Sequence, residues 1–311
     1  MELCPESKWE ELCKSDTTCT FYQTPAWHKI AARHYGAESV SFIFQVEGET
    51  ACLPLLRKRR FGAFRYFSPF GTYTALVCPR NLGPEALASI EKALGKINLQ
   101  LTSSPFTQNP LCVGEKLSSK VQLIDLSALD PGNPMRDWDE GQRRRVRVAK
   151  REGVTVRSAE TSADWECYFR LYQLSLARWG GKARVAYPHE LFEDIRSTCA
   201  QNPNVVLWLA EHDGEPGAGF LTFYHNRHVI PWHGGADDRF FALGATQILF
   251  LTMIEDAKQR GYSVFDLTGS GGLTGVEAFK ARFGTKTVEF DSSLNRVGLY
   301  GFLSKLNSIR Q

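Results

Sequence analysis

"GGADDRFFALGATQILF", residues 234–250, is the stretch on which the fold turns. Just before it, "VIPWHGG" (229–235) reads as the end of a β-strand, and "TQILFLTMIEDAKQRG" (246–261) reads as a long helix. Only a short polar segment separates the two. A strand, a brief loop and a helix start place backbone N–H groups and the positive end of a helix dipole where an anion can sit.

Reading outward, "NVVLWLAEHDGEPGAGFLTFYHNRHVIPWHGGA" (204–236) forms a meander of three strands with turns at "DGEPG" and "HNRH". Beyond the long helix come a strand in "YSVFDLTG", a glycine-rich loop, the short helix "GVEAFKARFG" (275–284), the strand "TKTVEFD" (285–291) and a basic amphipathic tail. Upstream, "SADWECYFRLYQLSLARWG" (162–180) is a helix with Ser162 as its expected N-cap and Trp165 where a capping box wants an acid. Trp165, Tyr168, Phe169 and Tyr172 share one of its faces. "HELFEDIRSTCAQN" (189–202) is a further helix.

The first half has a similar order. "TPAWHKIAARHYG" (24–36) is a helix with a threonine cap, proline at the first position and a closing glycine. A hairpin turning at "EGE" follows in 39–60, then one or two strands in "FRYFSPFGTYTALV" (64–77), a helix in 83–97 and a strand in "KVQLIDLSAL" (120–129). "RDWDEGQRRRVRVAKREG" (136–153) is a helix with a cationic end. The 311 residues favour two domains, expected at 1–152 and 153–311, with the last segment packing back on the first.

Hydrophobic content of 43% and charge of 23% are those of an ordinary globular chain. A net charge of +3 does not mark a nucleic-acid binder, but "RRRVRVAKR" (143–151) gathers six basic residues in nine beside the acidic "DWDE" (137–140). The eight cysteines include no C-x-x-C pair and read as small buried hydrophobes, so neither a disulfide framework nor zinc is expected. "MELCPESKWEELC" has no apolar leader core, and "FFALGATQILFLTMI" falls short of the roughly 18 residues of a membrane span. A cytoplasmic protein is expected.

Several motifs fail on spacing. "TGSGG" lacks the glycine of a nucleophile elbow two residues before Ser270, and "GSGGLTG" lacks the lysine and hydroxyl of a P-loop. Thr274 stands where a dinucleotide fingerprint requires glycine. His225 and His228 flank a turn with no further ligands nearby, so no metal is expected.

Arg239-Phe240-Phe241-Ala242-Leu243-Gly244 resembles the donor-binding pattern of the GNAT acyltransferase superfamily, with Ala242 where its first glycine is expected. The ordered set of segments, ending in "VFDLTGSGGLTGVEAFKARFG" (264–284), resembles the FemAB-like branch of that superfamily, whose members carry two GNAT-type domains in one chain. The resemblance implies an α+β fold (α/β) of tandem GNAT-like domains, each a mixed, mostly antiparallel sheet flanked by helices. The first domain would be a degenerate copy on the acceptor side, and the second would hold the donor and the chemistry. It also implies N-acyl or N-aminoacyl transfer to an amine of a cell-envelope, polysaccharide or peptide precursor. Acyl-coenzyme A or aminoacyl-tRNA would be the co-substrate, with no permanently bound cofactor and with tRNA as a partner in the second case. The coiled-coil arm of some tRNA-dependent relatives has no counterpart, because no heptad run exists.

Phe279-Lys280 matches the Phe-Lys pair that lies at the reaction centre of the peptidoglycan members. Acyl transfer needs a held donor, a neutral amine and positive charge where the oxyanion develops; Lys280 suits the last role. His233 and Asp237, at the strand end, and Asp266, at the end of "VFD", are the candidate proton acceptors. Arg239, Leu243, Gly244, Ala245 and Phe279 are the expected donor contacts. Arg143, Arg144 and Arg147 are the expected contacts to phosphates or the acceptor. The alternative is a non-catalytic GNAT-like protein that binds an anionic precursor.

Overall fold

The computed structural model describes residues 1–60, 62–180, 186–200 and 202–298; the tail at 299–311 lies outside them. The chain divides into two compact units, Met1–Lys120 with Glu289–Gln311, and Val121–Val288. The second unit therefore starts some thirty residues before the expected boundary at 152. The cause is packing: Val146 and Ala149 of the basic helix, with Ile124, Leu126 and Trp138, are buried in the second unit's core.

The first unit contains β1 (Glu2–Leu3), α1 (Glu6–Ser15), α2 (Pro25–Tyr35), β2 (Glu38–Val46), β3 (Glu49–Arg60), β4 (Ala63–Phe67), α3 (Pro84–Leu94) and β5 (Asn98–Leu101). The chain crosses into the second unit along β6 (Glu115–Asp125), followed by α4 (Glu140–Arg151), β7 (Thr155–Ser158), α5 (Ser162–Trp179) and α6 (His189–Cys199). Then come β8 (Val205–His212), β9 (Glu215–His225), β10 (His228–Ala236), α7 (Ala245–Gln259), β11 (Val264–Asp266) and α8 (Thr274–Ala281). Along β12 (Lys286–Asn295) the chain returns to the first unit.

In the first unit the neighbours run β1-β2-β3-β4-β5 and then the end of β12. Every pair is antiparallel except β4 with β5. The second unit runs β6-β11-β10-β9-β8-β7, again antiparallel except for β10 with β11. Each unit is thus a mixed, mostly antiparallel sheet with one parallel pair. "FRYFSPFGTYTALV" supplies a single strand, β4; Val77 then makes only an isolated bridge to Cys52.

Two hairpins are set by their two-residue turns. Glu47-Gly48 and Asp213-Gly214 both have positive φ at each central residue, which matches the twist of the flanking strands and is easiest for glycine in the second position. The cores are separate. Leu53, Leu55, Ile90 and Leu99 pack in the first unit, and α7 runs through the middle of the second, burying eight residues including Leu249, Phe250, Met253 and Ile254. A helix apolar on most of its circumference belongs inside a fold.

Helix α5 starts one residue earlier than its sequence implies. Thr161, not Ser162, is the N-cap, and Asp164 completes a capping box by accepting from Thr161 N at 2.9 Å. Arg157 also donates to Asp164 at 2.7 Å, which holds that carboxyl well below its usual range. Thr161→Ala is expected to lower stability by about 1 kcal/mol, read as a lower thermal midpoint. An unchanged midpoint would show that the cap contributes nothing.

No helix among the described residues is long and apolar enough to cross a membrane. Of the free cysteines, Cys13, Cys19, Cys52 and Cys78 are buried.

Candidate active site

The parallel ladder between β10 and β11 covers only His228 and Val229, while β10 runs on beside β9 to Ala236. Beyond this ladder, β10 forms a wall of a cavity of about 700 Å³ within the second unit, through Pro231, Trp232, Gly234, Gly235 and Ala236. Thr246 and Gln247 at the start of α7, Gln142 and Arg145 of α4, Ser175 and Arg178 of α5, and Thr268, Phe279 and Lys280 from the "LTGSGG" loop and α8 complete its outline. The strand, loop and helix start of the opening sequence thus border one hollow.

Two local features fix the start of α7. Gly244, its N-cap, has φ +73° and brings no side-chain acceptor, so no side chain caps the helix's first turn. A β-carbon at Gly244 would lie 2.3 Å from the backbone oxygen of Arg145, so α4 and α7 approach here as closely as glycine allows. Arg145 seals the approach: its guanidinium donates to Phe241 O at 3.2 Å and to Ala242 O at 2.9 Å. Gln247 donates to Gln142 across the same contact at 2.9 Å.

The cavity is cationic. Arg145, Arg178, Arg282 and Lys280 line it, and no carboxylate is among its described lining residues. Lys280 donates to Thr268 O at 3.3 Å and Gly269 O at 3.0 Å, which hold its ammonium at the glycine-rich loop. Burial lowers the Lys280 pKa to about 8, against a smaller opposing pull from Asp266. Phe279 also faces the hollow and packs on Phe283, with ring centroids 5.1 Å apart.

The other expected site residues lie elsewhere. Asp266 is fully buried, is not among the cavity's lining residues, accepts from Thr268 N at 2.7 Å, and pulls the Lys280 pKa upward. His233 points away from the hollow into a cage of Tyr168, Tyr172, Tyr187, Phe192 and Trp232. Its Nδ1 lies 2.5 Å from the Tyr168 hydroxyl, and the dry surroundings lower its pKa to about 3. Asp237 is buried and bound to Arg239, which lowers its pKa.

Arg239 does not border the hollow either. It pairs with Asp237 and Glu215, both at 2.7 Å. Leu243 packs against the core and Ala245 is buried in it. Of the expected donor contacts, the cavity brings in Phe279 alone. Arg239→Ala is accordingly expected to leave affinity for a donor within about twofold of the unaltered protein. A larger loss, measured by calorimetric titration, would return Arg239 to the site.

On α4 the expected phosphate contacts are also displaced. Arg143 and Arg147 both bind Glu140, Arg147 at 2.5 Å, and Arg144 is exposed; none lines the cavity. Arg145 is the residue missed. The signal was present in the sequence, since Gln142, Arg145, Val146 and Ala149 follow the i, i+3, i+4, i+7 spacing of one helix face.

Among the described residues one trio, Glu166, His189 and Glu193, brings potential metal ligands within 4.8 Å of one another. Its groups already have partners: His189 meets Glu166 at 3.0 Å, and Arg196 grips Glu193 with two nitrogens.

Residues 140–281 match the family model of the acetyltransferase (GNAT) domain. That match lies within the second unit, and the chain as a whole shares its fold with FemX. The crystal structure of FemX is similar with a TM-score of 0.74, over 98% of this chain and 99% of that one, at 13% identity. The C-terminal domain of a putative lysylphosphatidylglycerol synthetase from Agrobacterium fabrum matches with a TM-score of 0.58, over 98% of this chain and 97% of that one, at 14% identity. A conserved protein of unknown function from Bacteroides thetaiotaomicron matches at 0.57, over 94% and 98%, with 8% identity. At these identities the likeness is one of fold. No curated protein gives a significant match.

Proposed function

We propose that this protein is an N-acyltransferase that moves an acyl group from acyl-coenzyme A to an amine, with the chemistry in the second unit. The observation that carries this reading is the cationic cavity between β10, beyond its ladder with β11, and the glycine-capped start of α7. An extended donor arm fits along the stretch of β10 beyond its ladder with β11, where backbone groups can supply hydrogen bonds. Its phosphates fit the start of α7, where the helix dipole and Arg145 are positive.

In the reaction a neutral amine attacks the thioester carbonyl, forming the N–C bond. The carbonyl oxygen becomes an oxyanion, and its collapse breaks the C–S bond. Protonated Lys280 stabilises that developing charge, or the departing thiolate, which is then protonated; the amine's surplus proton passes to water. No buried carboxylate or imidazole of the described chain borders the cavity, so the reading assigns no side-chain base. The first unit takes the acceptor side of the reaction, as a copy without transfer chemistry.

Aminoacyl-tRNA is the weaker donor reading, because Glu140 engages both Arg143 and Arg147 on the basic helix. Titration with coenzyme A and with charged tRNA over a salt series separates the two. Micromolar coenzyme A binding, with release of free thiol on adding acyl-coenzyme A and a panel of amines, is the expected outcome. Steeply salt-dependent tRNA binding without coenzyme A binding would overturn it.

A further inference from the structure

The first unit contains a second cationic hollow with no part in the reaction above. The hairpin of β3 and β4 carries Arg57, Lys58, Arg59, Arg60 and Arg65, with no acidic residue between positions 57 and 65. Beside it lies a cavity of about 460 Å³ whose lining includes Lys58, Arg59, Arg60 and Arg65, and no carboxylate is among its described lining residues.

Two of these cations are anchored by neutral groups. Lys58 and Arg65 are register partners across the hairpin, so their side chains project from the same face. Lys58 donates to Tyr35 O at the carbonyl end of α2. Arg65 donates to Gln100 Oε1 and lies 5.1 Å above the Phe67 ring. Such partners hold a cation in place without cancelling its charge, in contrast to Arg57, which Glu38 binds. The hollow's wall is firm as well. Phe70 is held at φ +52°, a strained conformation, between the rings of Trp27, His34 and Tyr35, each 5.1 Å away, with Gly71 beside it.

We propose that this hollow is a binding site for a phosphorylated ligand, its phosphoryl group held by Lys58 and Arg65. Two adjacent cations, each held by a neutral partner, match a multiply charged phosphate better than a single carboxylate, and the arginine fork fits phosphate oxygens in pairs. The volume exceeds that of one phosphate, which leaves room for the rest of the ligand against Tyr35 and Phe67.

The test is calorimetric titration of the full chain with inorganic pyrophosphate, together with co-sedimentation on phosphatidylglycerol and on phosphatidylcholine vesicles. Four proteins are compared: unaltered, Lys58→Met/Arg65→Met, Arg65→Lys, and Arg145→Ala/Lys280→Met, the last of which removes cations of the second unit's cavity. We expect Lys58→Met/Arg65→Met to weaken binding at least about tenfold, Arg65→Lys to be intermediate, and Arg145→Ala/Lys280→Met to keep the site. Pyrophosphate binding that depends on Lys58 and Arg65 identifies a soluble phosphate. Dependence seen only on phosphatidylglycerol vesicles identifies a lipid headgroup. Equal binding by all four proteins, loss only in Arg145→Ala/Lys280→Met, or no binding to either probe overturns the proposal. Because Arg65→Lys keeps the charge and changes only the fork, its intermediate affinity would separate loss of a ligand contact from loss of folding.

Discussion

Lys280→Met is expected to lower acyl transfer by about 10²–10³-fold while the protein stays folded, the effect of removing one preorganised group from a developing negative charge. The loss should fall on kcat, because Arg145 and the start of α7 still hold the donor. Lys280 is charged below its pKa of about 8 and neutral above it, so its contribution fades as pH rises through that value. The rate profile should show a falling limb near pH 8 that is absent from the methionine variant. Stability follows the opposite sign. The folded pKa lies below the ordinary 10.5, so between about 8 and 10.5 the unfolded chain binds more protons and the folded state gains stability as pH rises. Lys280→Met should flatten that rise. Full activity in a folded Lys280→Met protein would remove the lysine from the mechanism.

Gly244→Ala should be the most disruptive single methyl in the second unit. Its φ of +73° lies in the left-handed region, which costs an alanine about 1–2 kcal/mol. The new carbon would also sit 2.3 Å from a backbone oxygen of α4, which no side-chain rotation can move aside. Either α4 or α7 must shift, and both carbonyl contacts of Arg145 would stretch. A total cost of about 3 kcal/mol or more is expected, a fall in midpoint of about 6–12 °C for a unit of this size. Coenzyme A binding should fall with it even below the melting range. A midpoint within about 2 °C of the unaltered protein, with unchanged affinity, would show that the two helices are not held at contact distance.

The elements legible in the sequence are those specified by near neighbours. The turns at 47–48 and 213–214 are written in glycine next to an acidic residue, and α7 in its apolar run. A capping box is legible too, but it sits one residue before Ser162, since Thr161 and Asp164 satisfy it and Ser162 does not. Helix α1 is not legible in the sequence, because its stripe is only Trp9, Leu12 and Cys13 in an otherwise polar segment, and that stripe acquires meaning through the core it covers.

The site divides in the same way. Phe279 and Lys280 were found from sequence because a loop, a short helix and a paired motif are all local. Which arginine lines the cavity was decided by partners far along the chain. Arg239 is taken by Glu215, 24 residues away, and Arg145 is placed by carbonyls 96 and 97 residues away. His233 was likewise withdrawn into an aromatic cage built by α5 and α6. The sequence by itself determined most of the strands and helices and the strand–loop–helix that frames the cavity, because periodicity and turn chemistry act over a few residues. Only the tertiary structure decided which charges remain available inside it, because an ion pair depends on where the fold brings its second partner.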